Sequence, residues 1–148
     1  MPQSKNSSEY ETIESASEES HELSKLSGIG IAAFIGGGFA AGFLIYENYK
    51  LLGLAGKARQ TIWIFGCIGL LFLYVAWNTP PDLISAMLSI GIPQLVIILI
   101  SVKMMQGSVL SLHMENDGKF RSNRHALAIG IAVNLLIKAG FYGISLLR

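Results

Sequence analysis

Lys138 is the side chain whose type and position ask most directly for chemistry. It stands thirteen residues after His125, near the middle of the 23-residue run from His125 to Leu147 that carries no other charge. A charge at mid-bilayer costs from about 3 to more than 10 kcal/mol, so an intramembrane lysine reads as functional by default. Asn134 lies one turn earlier on the same helical face, and Gln94, beside Pro93, is a second amide at membrane depth. A proline within a helix frees a backbone carbonyl near it. Together Lys138, Asn134 and Gln94 predict a polar path or an anion-binding site inside the membrane. The bland alternative is that Lys138 snorkels to an interface or pairs with a carbonyl. No acidic residue lies within the apolar runs, so no carboxylate proton relay and no buried counter-ion for Lys138 are expected.

Other chemistries find no support in the sequence. His113 and His125 have no cysteine or carboxylate at ligand spacing, so no metal is expected. Cys67 is the single cysteine and sits in an apolar run, which reads as a small core residue of a helix. No serine has a histidine and an acid in a catalytic arrangement. The segment Gly28-x-Gly30-x-x-Ala33 matches a dinucleotide fingerprint in letters only, because no strand precedes it. No catalytic residue, metal or cofactor is expected, and the chain reads as a non-enzyme.

The same glycine-rich stretch has a second pattern. Small residues recur four apart: Gly38 with Gly42, Ala33 with Gly37 and Ala41, and Ala32 with Gly36 and Ala40. Small residues let helix backbones approach closely where hydrocarbon supplies no hydrophobic drive. Ala33, Gly36, Gly37, Gly38, Ala41 and Gly42 therefore read as a packing surface, for helices of this chain or for a partner. Ala126, Gly130, Ala132, Gly140 and Gly143 make the last helix a plausible mate.

The elements that must position these residues follow from charge spacing. Of 148 residues, half are hydrophobic. Four runs carry no charge except Lys138: 21 residues between Lys25 and Glu47, 22 between Arg59 and Asp82, 20 between Asp82 and Lys103, and the 23 from His125. About 20 helical residues cross a hydrocarbon core of about 30 Å. None of the runs alternates with the period of a lipid-facing barrel. An all-α, four-helix integral membrane bundle is expected, with spans near 26–46, 60–78, 83–103 and 125–147. Asn78-Thr79-Pro80-Pro81-Asp82 reads as a tight turn, with Asp82 capping the third helix. Asn116-Asp117-Gly118 reads as another turn, and Ser122 or Asn123 as the cap of the fourth helix. Val109, Leu110, Leu112 and Met114 suggest that the third helix continues as an interfacial extension from Lys103 to Glu115.

Residues 1–25 form an acidic, serine-rich tail with six glutamates and two lysines, which is expected to be disordered. It is polar where a signal peptide would be basic and then apolar, so none is expected. The remaining basic residues cluster in two linkers, Lys50, Lys57 and Arg59 in one and Lys103, Lys119, Arg121 and Arg124 in the other. Such residues set topology and face anionic lipid. By the positive-inside rule both linkers are cytoplasmic, which would put both termini outside. The charges form no nucleic-acid patch; the expected partners are the lipid bilayer and a protein partner or further copies of the chain.

At the linkers the sequence resembles an uncharacterised family of small bacterial multi-pass membrane proteins. A glycine-rich first helix, here Gly36 to Gly42, leads into an aromatic, asparagine and Leu-Gly stretch, here Tyr46-Glu47-Asn48-Tyr49-Lys50-Leu51-Leu52-Gly53. A second stretch carries Gln106-Gly107, His113, Gly118 and Ser122. The chain departs from the pattern at Gly38, where a proline is common, around Lys138, and in its long acidic tail. The resemblance covers most of the chain after the tail. It implies a bacterial inner-membrane location and no particular activity. The leading expectation is a non-enzymatic membrane protein that works through helix and loop contacts with a partner, such as an immunity or accessory protein of a membrane-acting system. The other is a small transporter or channel with its path at Lys138, Asn134 and Gln94.

Overall fold

The computed structural model describes Glu11, residues 22–78, Asp82 and residues 90–146. The described residues are helical apart from short connections and one isolated bridge. There are four helices: α1 (Leu26–Leu51), α2 (Ala55–Asn78), α3 (Ile92–Glu115) and α4 (Asn123–Leu146). Each is long and apolar enough to cross a membrane. The turn chemistry is where the sequence put it. Asp117 takes φ 53°, and the Gly118 amide donates to the His113 carbonyl at 2.8 Å. The Ser122 hydroxyl accepts from the Arg124 amide at 3.2 Å and so caps α4. Gly53 takes φ 70° just past α1, where only glycine sits without strain. The tail before Glu22 apart from Glu11, the Pro80–Pro81 turn and the start of the expected third span lie outside the described residues.

The first helix does not cross as one rod. Gly37 has φ 67° and ψ −157°, a conformation foreign to any helix and open essentially to glycine alone. The consequence shows at the ends of α1. The Ser24 amide donates to Asn48 Oδ1 at 2.8 Å, and Asn48 Nδ2 donates back to the Ser24 carbonyl at 2.9 Å. In a straight helix residues 24 and 48 would be about 36 Å apart at 1.5 Å per residue. The chain therefore reverses at Gly37. Residues 26–36 form a descending arm (α1a) and residues 38–51 a returning arm (α1b). At about 16 and 21 Å the arms reach roughly half-way into a 30 Å core. This is a helical hairpin, and the single straight helix expected over 26–46 is corrected accordingly. The length and apolarity of α1 suffice for a crossing, but its geometry turns back.

The hairpin is the centre of the fold. Every extensive helix–helix contact involves α1, and α1 is the most buried of the four helices. Its small residues make this feasible. At Gly36 an added Cβ would lie 2.7 Å from the Cβ of Ala40 in the other arm and 2.8 Å from the Gly130 carbonyl oxygen of α4. At Gly38 it would meet the Gly69 amide nitrogen at 3.0 Å, and at Gly42 the Phe65 Cβ at 2.6 Å, both in α2. The small residues of α1 are thus divided between arms facing α4 and α2; they do not form one continuous helix face. Of the proposed mates on α4, Ala126 and Gly130 touch α1a, while Gly140 and Gly143 have open space where a side chain would go.

Two further expectations change and a third gains detail. Leu23 is fully buried, and its backbone pairs with the second linker: the Leu23 amide donates to the Lys119 carbonyl at 3.2 Å, and the Arg121 amide to the Leu23 carbonyl at 2.9 Å. Residues 22–25 are therefore ordered, and they lie at the same end of the bundle as both basic linkers, not opposite them. The α3 extension is helical to Glu115 as expected, and it packs Val109, Leu110 and Leu112 onto Leu23, Leu52 and Phe120, so it is part of the bundle. Cys67 is exposed on the outer surface of α2, not in the core.

The hairpin makes a sidedness prediction. In a Cys67→Ser background, Glu22→Cys and Lys119→Cys should both react with a membrane-impermeant maleimide from the same side of sealed vesicles. Reaction from opposite sides would mean that α1 crosses the membrane.

Candidate intramembrane site

A break in a helix at membrane depth exposes backbone groups that hydrocarbon cannot satisfy. The end of α1a leaves carbonyls without helical partners, and the start of α1b leaves amides. Each unpaired group costs several kcal/mol in lipid, so such backbone is tolerated only where protein buries it or where it lines a cavity. Both conditions hold here. Asn134 Nδ2 of α4 donates to the Ile35 carbonyl at 2.8 Å, filling one of the acceptors released by the turn. Gln94 of α3 lies against the turn from the other side, with its Nε2 2.7 Å from where a Cβ on Gly37 would be. Pro93 stands in the first turn of α3 as described, next to Gln94.

Gln94 and Asn134 also line one small cavity of about 160 Å3 at the apex, with Gly36, Gly37 and Phe39. A polar cavity of that size holds water or a small polar group. Two opposite half-helix ends meet there, one presenting carbonyls and the other amides. Their partial charges are of opposite sign and largely cancel. The apex thus offers both donors and acceptors and no net charge, which suits a neutral hydrogen-bonding group better than an ion.

Lys138 does not belong to this site. It is exposed on α4, one turn beyond Asn134, and does not line the apex cavity. The spacing of four that placed Asn134 and Lys138 on one face was sound, but only the first faces the hairpin, because α4 leaves α1 behind at the apex.

Past the apex, α2 and α4 continue without a hairpin between them. A larger chamber of about 760 Å3, more open than enclosed, lies there, bordered by Phe39, Leu73, Tyr74, Trp77, Ile137 and Phe141 among others. The rings of Trp77 and Phe141 stack across it with centroids 5.5 Å apart. Trp77 is eight residues beyond Gly69, so this bridge stands about 12 Å past the apex.

The residues that carry the family resemblance gather at the opposite end, around the hairpin base. Asn48 bonds Ser24 as described and also donates to Gln106 Oε1 at 3.2 Å; Gln106 Nε2 donates to the Ile45 carbonyl at 3.3 Å. The Tyr49 hydroxyl donates to the Met105 carbonyl at 2.6 Å. His113 is buried, packs against Gly118, and meets the Lys119 carbonyl through Nε2 at 3.0 Å. A carbonyl only accepts, so Nε2 carries the proton. Arg121 donates to Glu47 at 3.1 Å, a half-exposed pair contributing about 0.2–1 kcal/mol. This cluster closes the hairpin base and fixes the tail and second linker to it. It is a clamp. Of the remaining basic residues, Lys50 and Arg124 are exposed at this same end, beside the linkers they flank. Among the described residues no three His, Cys, Asp or Glu side chains are grouped to hold a metal ion. His125 is exposed at the start of α4.

The chain matches no protein-family model, no curated protein and no solved structure.

Proposed function

We propose that this is a non-catalytic membrane carrier for an uncharged solute, with its binding site at the hairpin apex. The observation that carries the reading is the helix broken at Gly37 between two side-chain amides, Gln94 and Asn134. Discontinuous helices whose half-helix ends meet near the bilayer midplane are how many transporters build solute sites.

A role in partner binding draws less support from the glycine face. The glycines of α1 contact α2 and α4 of the same chain, which leaves the acidic tail as the candidate surface. The positive-inside rule places both linkers in the cytoplasm, and the ordered segment 22–25 goes with them. The resemblance at the linkers supports a bacterial inner membrane as the compartment.

The test is flux. Liposomes carrying the protein should swell faster than empty ones under a gradient of a small neutral polyol. Gln94→Leu and Asn134→Leu should each reduce that rate at least tenfold, while Lys138→Met should leave it within twofold. Equal rates in wild-type and empty liposomes across a panel of neutral solutes would sink the carrier reading. Loss of flux in Lys138→Met would move the path to the outer surface of α4.

A further inference from the structure

The chamber beyond the apex has features that the carrier reading does not use. It is about 760 Å3, within the 300–1,000 Å3 typical of small-molecule sites. Among the described residues its walls are aliphatic and aromatic, with no charged side chain. A chamber of this polarity does not hold ordered water, which needs two to four polar partners. It lies in the half of the bundle that the hairpin does not reach, between two helices apolar enough to sit in hydrocarbon. The Trp77–Phe141 stack bridges its far end.

The chamber adjoins the apex site. Phe39, Leu73 and Ile137 line both cavities. The combined space has an apolar body about 12 Å long and, at its inner end, two uncharged amides beside a helix break. That is the shape and polarity of one amphiphile, an apolar chain with a neutral hydrogen-bonding head. Among the described residues a phosphate or carboxylate head would find no cation there, since Lys138 lines neither cavity. A hydroxyl both donates and accepts, which matches the mixed amides and carbonyls of the apex.

We infer that the chamber binds the chain of a neutral, hydroxyl-headed lipid drawn from the bilayer, with the hydroxyl held at Gln94 and Asn134. The inference rests on the apex being a binding site, as the carrier reading holds, and names the class of its ligand.

Gly140 gives the test its handle. It lines the chamber, and a side chain added there meets nothing within 4 Å, so bulk can enter without displacing a helix. The full-length protein in phosphatidylcholine nanodiscs would be photolabelled with a diazirine-bearing long-chain alcohol, and the adducts mapped by mass spectrometry. Adducts should fall on residues 70–77 and 133–141, saturate, and be competed by unlabelled alcohol. Gly140→Phe should reduce them at least tenfold, and Gly140→Leu serves where the phenylalanine variant does not fold. Matched fatty-acid and alkane probes should label the chamber at least fivefold less than the alcohol. Unsaturable labelling, labelling unchanged by bulk at Gly140, or equal labelling by the three probes would each overturn the inference. Polyol flux is read separately. Chamber labelling without flux would leave a lipid-binding protein that is not a carrier, and flux without labelling would leave a carrier of another solute.

Discussion

Gly37→Ala is expected to destabilise the protein by about 1–3 kcal/mol, although it replaces a glycine by the best helix former in the middle of an apolar helix. The sign is the informative part. Were α1 a straight span, the substitution would stabilise it by up to about 1 kcal/mol, because alanine loses less backbone entropy than glycine and suits a helix interior. In the hairpin, φ 67° with ψ −157° belongs to a region that a Cβ makes costly, and that Cβ would press on Gln94 Nε2 at 2.7 Å. The two contributions can be separated. Gln94→Ala removes the contact and leaves the backbone strain, so Gly37→Ala should cost less in that background by the steric part alone, a double-mutant cycle in the usual sense. Unfolding in mixed micelles, followed by helical circular dichroism, provides the measurement. A gain in stability for Gly37→Ala would show that the chain crosses at Gly37 instead of turning.

That prediction also marks where the sequence stops being legible. The helices themselves could be read, because uncharged runs of 20 or more residues have few other uses, and the capping and turn residues Ser122, Asp117 and Gly118 act locally. The hairpin could not be read from length. Its two arms are apolar, they are joined by one residue, and their sum is close to the length of one span. The available signal was the triple glycine Gly36-Gly37-Gly38 in mid-run. It was read as a packing stripe, since glycines four apart suit a continuous helix equally well. Once α1 turns back, the N-terminal segment moves to the linker side, and the sidedness argument from charge alone inverts for that end of the chain.

The site was half legible for a related reason. Gln94 and Asn134 were identified as polar groups at membrane depth, a property of composition and position. That they flank a broken helix, and that Lys138 faces away from it, depends on which part of α4 the hairpin covers. Periodicity gives the face of a helix but not how far along it a neighbour reaches. The clamp at the hairpin base was hidden more deeply. Its members are separated by 24 residues (Asn48 and Ser24), 58 (Asn48 and Gln106) and 74 (Arg121 and Glu47), and the turn at Gly37 is what brings Ser24 to the others.

The second large effect is expected at that clamp. Asn48 is 1% exposed and uses both ends of its amide: Oδ1 accepts from the Ser24 amide, while Nδ2 donates to the Ser24 carbonyl and to Gln106. Asn48→Ala leaves three buried groups without partners, each worth about 1–3 kcal/mol when unpaired, so a loss of about 3–5 kcal/mol is expected. Asn48→Asp is the sharper variant. It keeps the acceptor for the Ser24 amide but replaces the donor with a second oxygen facing the Ser24 carbonyl and the Gln106 oxygen. Gln106 could turn its own donor toward the new carboxylate only by releasing the Ile45 carbonyl. Asn48→Asp at neutral pH should therefore be at least as damaging as alanine, despite being the closest match in shape. A local readout distinguishes a broken clamp from general loosening. The Lys25 carbonyl holds the first helical bond of α1a, to the Ile29 amide at 3.0 Å, and residues 22–25 are tied down by Asn48 and the second linker. Trypsin should cut after Lys25 slowly in the wild type and at least tenfold faster in either variant, at temperatures where the helical signal is still intact. Unchanged cleavage together with an unchanged melting temperature would mean that Asn48 does not hold the hairpin base, and with it would fall the reason the two arms return to the same face.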